Sequence, residues 1–242
     1  MKQKILAIIL FLTVYGTAAT AQINLGKVLD KVSGKNDTGL GESEIVQGLK
    51  EALNIGISNG SAEASKVDGF FKNELIKIAV PPEAQKVAET LRRMGLGAEV
   101  DRFTLSLNRA AEDAAKKSKP IFVKAITSMT VPDALGILKG QDDAATQYLK
   151  KTTNEDLFKT FFPVVDSTLN LNKATEYYKD LVSTYNQLPL GKKVNPNLKE
   201  YATQKTIDGL YTLIAQEEKK IREDPVARVN DLLKKVFSKS GN

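Results

Sequence analysis

The side chains that could do chemistry in this chain are carboxylates, amides and guanidinium groups set at helical spacing. Asn108, Arg109 and Glu112 fall close together, beside Ala110, Ala111, Ala114 and Ala115. An amide, a guanidinium and a carboxylate next to small residues make a polar group on a surface suited to close approach. Such a group either orients a polar ligand or forms a buried hydrogen-bond network that fixes helix register. Further on, Ile207, Leu210, Ile214 and Ile221 form an apolar stripe in steps of three and four, and Glu217 falls on it. A carboxylate so placed is expected to be partly buried, and therefore paired with a cation or raised in pKa. Arg92, Arg93, Arg109 and Arg228 are the candidate cations for an internal pair. The other reading is a carboxylate that faces a ligand. Glu218 and Arg222, spaced i,i+4, are expected to pair on the flank of the same helix, worth on the order of a few tenths of a kcal/mol. With Asp208 at the head of that stretch, a polar pocket would draw on residues 108–112 and on Asp208–Arg222.

Adjacent acids at Asp142 and Asp143 offer oxygen ligands for calcium or magnesium, or a cap for the free N–H groups of a helix start. No EF-hand frame is present, and no cofactor is implied. Gly191-Lys192 has no phosphate-binding loop around it, and Gly95-Leu96-Gly97 reads as a helix–helix turn. Gly48, Gly136 and Gly209 interrupt helical patterns at about 1 kcal/mol each, which marks sites of close helix packing or of ligand approach to backbone.

Much chemistry is excluded outright. The 242 residues contain no Cys and no His. Thiolate and imidazole nucleophiles, disulfides and thiolate or imidazole metal sites are therefore absent, and acid–base work falls to carboxylates, Lys, Tyr or water. The balance of 35 Lys+Arg to 29 Asp+Glu, with the two signs interleaved, is no nucleic-acid footprint.

These residues need elements to position them, and the pattern is helical almost throughout. After a helical stretch at 23–33 and a glycine-flanked polar linker at 34–41, a long helix is expected over 42–65, broken by Asp68-Gly69. Ile76, Ile78 and Val80 alternate before Pro81-Pro82, which leaves room for one short strand or extended arm at 75–80. Further helices are expected from Pro82 to Met94, over 98–117, from Pro120 to Ser128, and over 131–139, 142–152, 154–170, 173–187, 197–223 and 225–238. Gly95 closes the first of these. Thr130-Val131-Pro132-Asp133 and Thr153-Asn154-Glu155-Asp156 resemble capping boxes, and Asn195-Pro196 and Asp224-Pro225 are further start signals. Pro163 is expected to kink or divide its helix. The fold expected is all-α, a single non-repeating bundle of about nine or ten helices.

Lys2 and Lys4, the apolar run Ile5–Val14 and Ala19-Thr20-Ala21 read as a secretory signal cleaved after Ala21. Residues 22–242 would then form one all-helical domain, exported to the periplasm or envelope. Removing two lysines and no acid leaves 33 basic against 29 acidic residues, a net charge of +4. In the last stretch, Val226, Val229, Leu232, Leu233, Val236 and Phe237 stand among Lys234, Lys235 and Lys239, so this helix either docks on the bundle or rests weakly on an anionic membrane surface.

Five blocks carry a family resemblance: GLKEAL at 48–53, DGFFKN at 68–73, NRAAEDAA at 108–115, MTVPDALGILKGQDDAATQYLK at 129–150, and DGLYTLIAQEEKKIREDPVARVNDLLKKVF at 208–237. Together they resemble the domain of unknown function 4197 family of exported bacterial proteins. The resemblance implies an exported, mainly helical, single-domain protein and brings no activity, cofactor or catalytic residue. The function expected is a non-catalytic exported module that binds an envelope ligand or protein. The alternatives are a carboxylate-dependent hydrolase on a cell-wall or sugar substrate, which needs two carboxyl groups across a cleft, and a peripheral membrane-associated envelope protein.

Overall fold

The computed structural model describes residues 41–171, 173–186 and 197–223. The signal at 1–21, the helix at 23–33, the linker up to residue 40, both Pro-containing start signals after residue 190 and the helix at 225–238 lie outside the described residues. The described part is all-α. Among its residues there are eight helices and no strand, against the nine or ten helices expected.

Helix α1, Glu42–Ser65, starts where Gly41 has extended backbone and donates its N–H to Glu44 Oε2 at 3.0 Å. Its buried face, Ile45, Leu49, Ala52, Leu53, Ile57 and Ala64, repeats at threes and fours. It ends before Asp68, whose φ of 67° lies in the left-handed region that an Asp tolerates. Gly69 follows because a Cβ there would come within 2.2 Å of the Glu63 carbonyl oxygen. The segment 66–81 then crosses the bundle without regular structure to a 3₁₀ turn at Pro82–Ala84.

Helix α2, Gln85–Arg93, closes on Gly95 at φ 82°, with Leu96 N–H donating to Leu91 C=O and Gly95 N–H to Arg92 C=O. This is a Schellman end, as the glycine predicts. Helix α3, Gly97–Ala115, carries Leu107, Ala110, Ala111 and Ala114 into the core. Helix α4, Ser118–Thr127, is joined to α1 by a Ser118–Ser61 hydroxyl bond of 3.0 Å. Helix α5, Val131–Lys139, begins with the capping box expected, in which Thr130 and Asp133 exchange side-chain-to-backbone bonds.

The two helices expected over 142–170 are one. Helix α6 runs Ala144–Leu171, straight through the start signal at Thr153 and through exposed Pro163. Thr153 caps nothing: its hydroxyl bonds Leu149 C=O and the Tyr211 hydroxyl. Tertiary burial decides the matter, because Ala145, Leu149, Thr153, Leu157, Phe161, Val165 and Leu169 form one unbroken buried line. A step of four in a helix of 3.6 residues per turn drifts by about 40° each time, so this line winds round α6 and meets different neighbours along its length.

Helix α7, Ala174–Asn186, stacks Tyr178 on Phe103 of α3, ring centroids 5.5 Å apart. Helix α8, Leu198–Glu223, packs against both α1 and α6. It runs antiparallel to α6, pairing Glu218 with Thr146, Tyr211 with Thr153 and Lys199 with Asp166. Gly209 of α8 is a close approach: an added Cβ would meet Phe70 Cε1 at 2.6 Å. Gly136 opens onto free space and has no such reason.

Candidate functional site

Irregular as it is, segment 66–81 buries Phe70, Ile76 and Ile78, so its backbone polar groups need partners. Side chains of α3 supply them. Asn108 is 0 % exposed. Its Oδ1 accepts the Ile78 N–H at 2.8 Å, and its Nδ2 donates to Ile78 C=O at 2.9 Å and to Thr104 C=O at 2.8 Å. One turn on, Glu112 Oε1 accepts the N–H groups of Phe70 and Phe71 at 3.1 and 3.3 Å, and Oε2 accepts from Arg109. Arg109 continues to Asp68 Oδ1 at 2.7 Å, where Lys72 closes the chain of charges. Hydrogen bonds from Lys72 and Arg109 hold the Asp68 carboxyl below the ordinary aspartate range. Those to Asp68 and Glu112 push Arg109 further up. Asn108, Arg109 and Glu112 thus form one network, whose lone pairs and protons are spent on fastening a loop.

The second polar group keeps the pairings expected of it but reverses their depth, with Glu218 buried more deeply than Glu217. Glu217 is partly buried, 17 % exposed in its side chain, and is paired with a cation as expected, but the cation is Lys220, with Asn59 donating as well, and not Arg92, Arg93 or Arg109; Arg228 lies outside the described residues. The buried carboxylate is Glu218, at 6 %. It accepts the backbone N–H groups of Ala145 and Thr146 at 3.0 and 2.9 Å and the Thr146 hydroxyl at 2.8 Å. These are orphan donors in the first turn of α6, so Glu218 caps a helix 72 residues away in sequence. Arg222 pairs with it at 2.9 Å and donates to the C=O of Ile137, in the last turn of α5. The Glu218–Arg222 contact is therefore no flank pair. It is a buried ion pair that serves the end of one helix and the start of the next.

Other candidates stand apart from both groups. Asp208 is exposed and bonds Gln204 one turn earlier. Asp143 accepts from Gln147, and Asp142 is exposed; the cap they were expected to provide comes from Glu218 instead. Among the described residues no group of three or more acids is placed to hold a metal ion. The single pocket expected from residues 108–112 and Asp208–Arg222 does not form, because one group faces segment 66–81 and the other faces α5 and α6.

A cleft of about 370 Å³ opens elsewhere, between segment 71–80 and helices α2 and α3. Phe71, Val80, Ala88 and Val100 make its apolar surface, with Lys77 and Thr104 beside them. Lys77 Nζ lies 4.8 Å from the centroid of the Phe71 ring, a cation–π contact, and the Arg109 guanidinium lies 5.9 Å from it. Arg92 and Asp101 at the rim neutralise each other, whereas Lys77 and Glu89 make no ion pair among the described residues. Sequence reasoning missed this cleft, for its walls come from three elements with no shared periodicity. The only signal was the alternation of Ile76, Ile78 and Val80, which marks an extended stretch.

A family model described as "Protein of unknown function (DUF4197)" matches residues 39–238. The chain belongs to this family. The DUF4197 region takes in the whole of the described fold, including the α3 network, the Glu218–Arg222 pair and the cleft. No curated protein and no solved structure matches the chain.

Proposed function

We propose that this DUF4197 protein is a non-catalytic binding module, and that its ligand surface is the cleft between segment 71–80, α2 and α3. The observation that carries this reading is where the polar chemistry goes. The buried carboxylates Glu112 and Glu218 are consumed by backbone N–H groups and by arginines, while the cleft combines an apolar surface with two charges, Lys77 and Glu89, that make no ion pair among the described residues. A concave apolar surface with a few polar groups is the usual form of a binding site.

Thermal unfolding with a panel of peptides, sugars, fatty acids and divalent cations tests it. A ligand present at a hundred times its Kd stabilises by about 2.7 kcal/mol. Filling the cleft with Ala88→Trp is expected to abolish that shift, and a shift that survives the substitution puts the ligand elsewhere. The hydrolase reading retains one foothold, since Glu89 and Asp101 both line the cleft. Turnover of a glycoside that Glu89→Gln abolishes would replace the binding reading. Export is supported by Lys2, Lys4, the Ile5–Val14 run and Ala19-Thr20-Ala21. N-terminal sequencing of the protein recovered from its producing cells is expected to begin at Gln22, and an intact Met1 would refute it.

A further inference from the structure

We infer that the cleft takes a short extended peptide segment, added edgewise along Lys77–Ala79 with one apolar side chain over Val80, Ala88 and Val100. The inference rests on the cleft being the binding surface. Its starting point is the way Asn108 holds Ile78. One planar amide reaches both the N–H and the C=O of a single residue, at 2.8 and 2.9 Å, which requires the two groups to point the same way. That is the extended conformation, and Asn108 does here what a residue of a neighbouring strand does in a sheet.

In extended backbone the groups of successive residues point to opposite sides, so Lys77 C=O and Ala79 N–H face away from Asn108. The outer edge is partly used already. Lys77 N–H donates to Asn73 C=O at 2.8 Å, and Ala79 C=O accepts from the Tyr201 hydroxyl at 3.2 Å. Between them, Lys77 C=O and Ala79 N–H have no hydrogen-bond partner among the described residues. One acceptor and one donor remain, spaced for the N–H and C=O of one residue of an incoming chain. Both residues are exposed and both line the cleft. An alkyl chain would leave the pair unanswered. A peptide answers it, as strand addition at a free edge does generally. Charge agrees: Lys77 and Glu89, opposite in sign and without ion-pair partners among the described residues, suit a ligand that carries both a carboxylate and an ammonium group.

The test uses the full chain and the tripeptide Ala-Leu-Ala with free ends, followed by the backbone amide signal of Ala79 and the methyl signals of Val80 and Val100. The expected result is a downfield shift and slowed exchange of the Ala79 amide, with affinity falling about tenfold when the central leucine nitrogen is methylated, the loss of one hydrogen bond. Because the change is in the ligand, the result does not depend on a variant that folds. Equal binding of the methylated tripeptide would overturn the edgewise addition and leave the cleft as a binding site. A response to decanoate or N-acetylglucosamine with none to the tripeptide would do the same. Silence of all three signals with every probe, in a protein whose melting point also ignores the wider panel, would overturn the cleft as well.

Discussion

Two glutamates side by side on α8 differ in almost everything that determines their energetic role. Removing the Glu218 side chain would strand the Arg222 guanidinium and leave two N–H groups of α6 without an acceptor. Glu218→Ala is therefore expected to lower stability by about 3–5 kcal/mol in urea unfolding. Glu217→Ala breaks a pair whose lysine is exposed and is expected to stay within about 1 kcal/mol. Similar losses for the two variants would refute the assignment of the buried acid. Asp68 gives the residue scale a pH dependence. Its carboxyl is held below its ordinary value, so its contribution is present above the unfolded pKa and lost as pH falls through the folded one. Asp68→Asn is accordingly expected to flatten the acid limb of stability against pH, and an unchanged limb would count against the Asp68–Arg109–Glu112 chain. That Glu218 is the more deeply buried of the two was not legible, and the cause is plain. From Ile214 to Ile221, steps of three then four and steps of four then three fit a helix equally well, so periodicity alone leaves the buried position ambiguous by one residue. What separates the two is the start of α6, which supplies N–H groups to one position and not to the other.

At the scale of elements, boundaries written in local chemistry were legible. Gly95 and the Thr130–Asp133 box each act within a turn of their own helix and lie where the sequence puts them, whereas Pro82 opens a 3₁₀ turn and the α-helix expected from it starts at Gln85. The Thr153 start signal failed because its hydroxyl found a tertiary partner and the buried line of α6 continued past it. The α3 network was half legible: a polar trio on a small-residue face was visible, but its partners are backbone groups of Phe70, Phe71 and Ile78, and a backbone has no sequence signature. Glycines separate packing from propensity. Gly209→Ala improves helix propensity by about 1 kcal/mol, yet its Cβ would drive into Phe70 and Ile76, so net destabilisation is expected, with loss of protection in segment 66–81. Gly136→Ala meets open space and is expected to stabilise by about 1 kcal/mol. Thermal unfolding of the pair decides, and the same sign for both would refute the contrast.

Across the whole molecule, aromatic burial sets an alkaline limit. Burial pushes the phenols of Tyr178 and Tyr211 up to about 12 from the usual 10.0. The folded chain keeps those protons above pH 10 while the unfolded chain has released them, so the phenols' contribution is whole below pH 10 and declines as pH rises towards 12. Tyrosinate absorbance is expected to show Tyr178 and Tyr211 ionising last, together with unfolding, with Tyr148 and Tyr201 also raised by burial. If every phenol titrates near 10 in the folded protein, the burial of these two rings is wrong. The cleft belongs to this scale too, since α2, α3 and segment 71–80 build it jointly and none does so alone.

Ribosomes deliver this chain from its beginning, and α1 leans on α8: Gly60 lies against Ile214, and Gly56 against Glu217 and Ile221. At about 5–20 residues per second, the gap of about 150 residues keeps the apolar face of α1 waiting on the order of ten to thirty seconds for the helix that covers it. α6 waits as well, because the acid that caps its first turn is made 72 residues later. A nascent chain halted before residue 218 would have most of its helices and no closed interior. Its core can close only once α8 has been made.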